Sequence, residues 1–133
     1  MTQRQHVLRR WLMGYVVGLF AALPLALPCW TKFLNAWIGR WVTIQAIHVA
    51  QYSGLGALAA SYAQADEQPR WMLGLLMLLV GGVGLLDELV QRWLPGRVFD
   101  WADVGLNLAG GLLGATLCGA VTWLIHWSGR VKA

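Results

Sequence analysis

The chain has 133 residues, enough for one domain, and its mean hydropathy is +0.55. Charged residues make up 12% of it, about half the ~25% of a soluble domain, so the composition argues for a bilayer rather than water as solvent. The net charge of +4 raises nucleic acid as a partner, but the basic residues stand at the ends of apolar runs, where they anchor to headgroups instead.

Four membrane spans can be drawn in chain order, each close to the ~20 apolar residues that cross a ~30 Å hydrocarbon core. They cover about 11–30, 41–62, 71–92 and 103–127. The first, WLMGYVVGLFAALPLALPCW, has a rival reading as a signal peptide behind Arg9 and Arg10. No A-x-A site follows it, and Pro28 stands where a lipoprotein signal needs a small residue before Cys29, so the span is expected to be retained. Cys29 and Cys118 lie in or beside apolar runs and make no disulfide framework.

The third run is pure from Trp71 to Leu86 and reaches full length only by continuing through Asp87 to Arg92. Between it and the fourth span, LPGRVF carries Pro95-Gly96, a tight turn that makes these two helices an antiparallel hairpin. The expected fold is thus all-α: a polytopic membrane protein of four transmembrane helices in one domain.

Tryptophan placement supports this drawing. Trp11, Trp71, Trp123 and Trp127 fall at span ends on one side, and Trp30, Trp37, Trp41, Trp93 and Trp101 on the other, as interfacial belts require. Six basic residues (Arg4, Arg9, Arg10, Arg70, Arg130, Lys132) flank the side that holds both termini, against Lys32, Arg40, Arg92 and Arg97 opposite. The excess places both termini in the cytoplasm.

Parity then brings the start of the second span, the end of the third and the start of the fourth into one leaflet. Gln45, His48 and Tyr52 are spaced i, i+3, i+7 on the second. Glu88 and Gln91 end the third, and Asp100, Asp103 and Asn107 step down the start of the fourth. The polar groups of three helices converge at one depth. Small-residue faces at Gly14/Gly18, Gly54–Ala60, Gly81–Gly84 and Gly110/Gly114 would let helices approach closely, within the chain or between copies, leaving the oligomeric state open.

Each group also has a bland explanation. Asp100 suits an N-cap, with Asp103 favoured at N3 by the helix dipole. Asp87 and Arg92 read as solvated edge charges, Gln45 and Asn107 as interhelical hydrogen-bond donors and acceptors, and His48 as a core histidine. Glu88 resists such an account, because a carboxylate on a packed helix at the membrane edge needs a partner. A metal held by His48, Glu88 and Asp103 is chemically possible, but no ligand spacing demands one, and neither metal nor cofactor is expected.

DELVQRWLPGRVFDWADVGLNLAGGLLG resembles the hallmark of the VanZ-like family of small bacterial integral membrane proteins. The pattern falls on Asp87, Glu88, Gln91, Arg97, Asp103, Asn107, Gly110 and Gly114; in the second span His48 and Tyr52 fit, while Gln45 stands where the family has a lysine. The resemblance implies a bacterial cytoplasmic (inner) membrane location and a link to susceptibility to the glycopeptide teicoplanin, with no defined reaction. Two functional classes follow. In one, a site at the membrane edge binds or acts on an envelope lipid or lipid-linked precursor: Glu88, His48 and Asp103 exchange protons, while Arg97, Gln91, Asn107, Gln45 and Tyr52 bind the head group. In the other, the same groups lock a non-catalytic scaffold or bind a partner. A proton-coupled transporter ranks below both, since no polar path crosses the other leaflet.

Overall fold

The computed structural model describes residues 3–21, 32, 36, 44–65, 68–69 and 71–131. Among them are four helices and no strand: α1 (Gln3–Ala21), α2 (Ile44–Ala63), α3 (Trp71–Gln91) and α4 (Trp101–Val131). The expectations for Cys29, Trp30, Trp37, Arg40, Trp41 and Arg70 lie outside the described residues.

Trp71–Gln91 and Trp101–Ser128 are each long and apolar enough to cross a membrane. Of the four spans drawn from sequence, these two meet that requirement within the described residues. The boundaries shift at three places. Helix α1 begins at Gln3, so the polar segment before Trp11 is already helical. Helix α3 ends at Gln91, where the chain tightens through Arg92 N–H to Glu88 O (3.1 Å), Trp93 N–H to Val90 O (3.0 Å) and Leu94 N–H to Gln91 O (2.9 Å). Gly96 then takes a left-handed φ of 76°, which a Cβ would strain. Helix α4 starts two residues earlier than drawn, because Asp100 caps it: Asp100 Oδ1 accepts the Ala102 N–H at 2.8 Å, and its carbonyl accepts Val104 N–H at 3.3 Å.

The contacts fix the helix directions. Asn107 lies against Gly84 and Gly111 against Val80, so α3 and α4 run antiparallel, as the hairpin requires. His48 meets Asn107 and Ser61 meets Cys118, so α2 and α4 run parallel. Helix α1 packs on α2, with the Tyr15 hydroxyl donating to Gln51 O at 2.6 Å.

Helices α2 and α4 touch backbone to backbone. A Cβ on Gly110 would stand 2.6 Å from Val49 O, and one on Gly114 or Gly56 would collide with the Ser53 or Gly111 carbonyl. Ser53 Oγ lies 2.7 Å from Val49 O in its own helix and 3.0 Å from Gly110 O, sharing its proton across the seam. The same small-residue spacing at Gly14 and Gly18 has nothing within 4 Å among the described residues. Small faces permit approach; here only one of these two is used.

Burial is inverted relative to a water-soluble bundle. A compact apolar core of Tyr52, Leu55, Ala59, Leu76 and Val80 joins α2 to α3, and beside it lie buried His48, Asp87, Glu88, Gln91 and Asn107. Leu78 and Leu79, Leu117 and Leu124 are instead more than half exposed, along with every described tryptophan. Such a surface suits hydrocarbon, where polar groups must be satisfied inside the protein.

Gly114→Ala should therefore push α2 and α4 apart and destabilise the protein by about 1–3 kcal/mol, the usual cost of overpacking. Gly119→Ala, on an unobstructed face of the same helix, should be neutral or slightly stabilising. Tryptophan-fluorescence melting in detergent reads both; equal midpoints for the two variants would refute the close seam.

Candidate functional site

The site forms where α2, α3 and α4 meet beside the Leu94–Asp100 turn. On α3 the buried positions Leu76, Val80, Gly84, Asp87, Glu88 and Gln91 follow helical periodicity, so one stripe carries the chain from apolar core to polar cluster. On α2 the corresponding face holds His48 and, a turn deeper, Tyr52, which is fully buried. Helix α4 contributes Asp103 and Asn107, one turn apart.

Asn107 organises the centre. Its Nδ2 faces Gly84 O at 3.4 Å, which turns its Oδ1 toward His48 Nδ1 at 2.8 Å. An amide oxygen can only accept, so His48 carries its proton on Nδ1 and presents the Nε2 lone pair to the opposite side. That lone pair looks toward Asp103 Oδ2, 3.9 Å away and too far for a hydrogen bond. Glu88 completes the group. It is fully buried, and no side chain among the described residues hydrogen-bonds to either carboxylate oxygen; the Asp100 backbone N–H is turned toward it outside good hydrogen-bond geometry. One ligand-type atom from each of His48, Glu88 and Asp103 lies within 4.8 Å of the others.

A second layer ties the helices together. The Tyr52 hydroxyl donates to Asp87 Oδ2 at 3.2 Å. Arg97 Nε donates to Gln91 Oε1 at 3.1 Å, and its Nη2 bonds to the same oxygen. The turn arginine is thereby folded back onto the end of α3.

Of the residues singled out from sequence, His48, Tyr52, Glu88, Asp103 and Asn107 are brought together, and Gln91 and Arg97 form a linked pair beside them. Gln45 is not brought in. It sits in the exposed first turn of α2, above the level at which the helices close. Asp87 is a correction in the other direction: read as a solvated edge charge, it is 6% exposed and bonded to α2, whereas Arg92 is exposed as expected of an edge. The signal was present in its spacing, since Asp87 is i+3 from Gly84 and i−4 from Gln91, both on the packed stripe. Asp100 fills the capping role and Asp103, two residues inside the helix, points its carboxylate into the cluster.

The Tyr52 hydroxyl donates from α2 to Asp87, so Tyr52→Phe should leave that buried carboxylate short of a donor. The expected loss is about 1–3 kcal/mol of stability. Tyr62→Phe on the same helix serves as the control. Unfolding midpoints that agree for the two variants would mean that the Tyr52–Asp87 bond holds nothing together.

Comparison with known proteins adds family and no more. No curated protein and no solved structure matches the chain. The model of one family, described as VanZ/LLP1, matches residues 6–124, which include α2, α3 and α4 as far as Leu124. With two helices apolar enough to span, this marks a membrane protein. The chain belongs to the VanZ/LLP1 family.

Proposed function

We propose that this protein is a multi-pass component of the bacterial cytoplasmic membrane whose His48–Glu88–Asp103 cluster binds and acts on the polar head of an envelope lipid or lipid-linked precursor. One observation carries the reading: the Glu88 carboxylate is wholly buried, yet no side chain among the described residues bonds to it. Buried polar groups are otherwise satisfied, and an exception at a packed helix junction asks for a ligand. His48 turns its Nε2 into the same cluster, and an imidazole there is a group that can take up or pass on a proton. Arg97, half-buried and held by Gln91 at the end of the hairpin, supplies a planar cation for a phosphate or carboxylate on the head group.

A second reading, a non-catalytic scaffold or partner-binding module, draws on the bonds that cross between helices: Tyr52 to Asp87, and His48 through Asn107 to Gly84. These explain His48, Asn107 and Tyr52 as structural. They leave Glu88 unexplained, because a locking residue makes bonds.

The two readings part at Glu88→Gln. The change keeps shape and, since no side chain among the described residues bonds to Glu88, breaks no side-chain hydrogen bond there. Under the site reading the variant accumulates in membranes at the wild-type level while the envelope phenotype, assayed as teicoplanin susceptibility, is lost. Immunoblotting of membrane fractions beside the susceptibility assay decides it. Retention of full phenotype at normal abundance would end the site reading.

Orientation is tested separately. Both termini are expected in the cytoplasm, with the Leu94–Asp100 turn outside. Val98, 83% exposed, takes a cysteine without the strain that Gly96 would impose. In a background lacking Cys29 and Cys118, Val98→Cys should react with an impermeant maleimide in intact cells; labelling only after lysis would invert the topology.

A further inference from the structure

We infer that His48, Glu88 and Asp103 form a binding site for one divalent transition-metal ion of the zinc type. The argument starts with the histidine. Asn107 Nδ2 faces Gly84 O and its Oδ1 accepts from His48 Nδ1, so the tautomer is set and the Nε2 lone pair is left facing the interior of the cluster. This is the arrangement by which metal-binding histidines are oriented: the second ring nitrogen donates to an oxygen acceptor, and the first is held toward the ion.

What faces that lone pair is also electron-rich. Asp103 Oδ2 is 3.9 Å from Nε2, and the unbonded oxygens of Glu88 complete the group, with one ligand atom from each residue within 4.8 Å of the others. An imidazole nitrogen and two carboxylates thus converge, and among the described residues only the Asp100 backbone N–H is turned to Glu88 as a donor. Side chains packed this way without a cation would repel one another in a region largely closed to water, where His48 is 4% exposed and Glu88 fully buried.

A bound dication resolves this. Zinc–nitrogen and zinc–oxygen bonds of ~2.0–2.2 Å in a tetrahedron put ligand atoms about 3.4 Å apart, so contraction of the cluster by rotamer adjustment suffices. The donor set selects the class of ion. One imidazole with two carboxylates suits zinc and its first-row neighbours, whereas calcium and magnesium favour six or more oxygens. Three protein ligands leave a fourth position open, and Asp103, the most exposed of the three at 15%, lies on the side from which a further ligand arrives.

The inference stands without the head-group reading: a structural ion would satisfy the same three residues. It does extend that reading, since a dication would let so acidic a pocket accept a phosphate.

The test uses the full chain carrying a tag free of histidine, purified in detergent without chelator. Elemental analysis should find zinc at one ion per chain. After chelator stripping, titration against a fluorescent zinc competitor should restore one site, and cobalt(II) should give the intense visible absorption of tetrahedral coordination. Glu88→Gln, Asp103→Asn and His48→Ala should each weaken zinc by more than ~100-fold, beyond the ~10–100-fold typical of a residue that only supports a ligand. His126→Ala, on an exposed histidine whose Nδ1 meets Thr122 O in its own helix, should bind as wild type. Because Glu88→Gln keeps the shape and breaks no side-chain hydrogen bond among the described residues, it keeps the test decisive if the other two fail to fold. Absence of zinc with no site on titration, or full affinity in Glu88→Gln, overturns the inference. No lipid or phenotype enters either readout, so failure here and failure of the head-group reading are separate results.

Discussion

The separation of α2 and α4 governs the rest of this molecule. Where Gly56, Gly110 and Gly114 meet the backbone of the facing helix, no side chain stands between the two, and the axes come as near as helices can. His48 and Asn107 lie on that seam. With a methyl group or more between the backbones, the imidazole would not reach the amide at 2.8 Å, and its tautomer would no longer be set. Glycine thus acts at a distance: it does nothing chemical, yet it determines which nitrogen of His48 faces Glu88 and Asp103.

The second consequence is electrostatic. A soluble bundle would turn Asp87, Glu88 and Asp103 toward water and hide the leucines. Here the exposed surface of α3 and α4 is leucine and tryptophan, while the acids lie between helices. Nothing outside hydrocarbon thickness can solvate them, so each must be answered from within. Tyr52 answers Asp87. Asp103 is half-buried and keeps some access to its surroundings. Glu88 has no side chain bonded to it among the described residues, and this sets it apart from the other two carboxylates.

Much of this was legible in the sequence, for reasons that differ residue by residue. Pro95-Gly96 stops one helix and Asp100 starts the next, because a missing donor, a left-handed φ and a side-chain acceptor act locally. The meeting of His48, Glu88, Asp103 and Asn107 followed from depth and helical spacing, which are one-dimensional quantities. Gln45 shares that spacing and is nonetheless exposed, since spacing places a residue on a face and says nothing of where the neighbouring helix ends. Gly14/Gly18 and Gly110/Gly114 look alike as strings, but among the described residues only the second pair has a backbone against it. Asp87 was misjudged because its partner hydroxyl comes from 35 residues away. The bare state of Glu88 was beyond reach of any pattern, as it depends on where every other donor points.

The parallel run of α2 and α4 has a bearing on biogenesis. The two residues of the His48–Asn107 bond are 59 positions apart, and α3 must cross in the opposite sense before α4 can return alongside α2. During synthesis the Tyr52 phenol therefore gains its partner Asp87 once α3 is made, whereas the His48 imidazole waits for Asn107 on α4. A chain arrested before Asn107 leaves His48 without its partner. Completion of the chain and completion of the cluster are in this sense the same event.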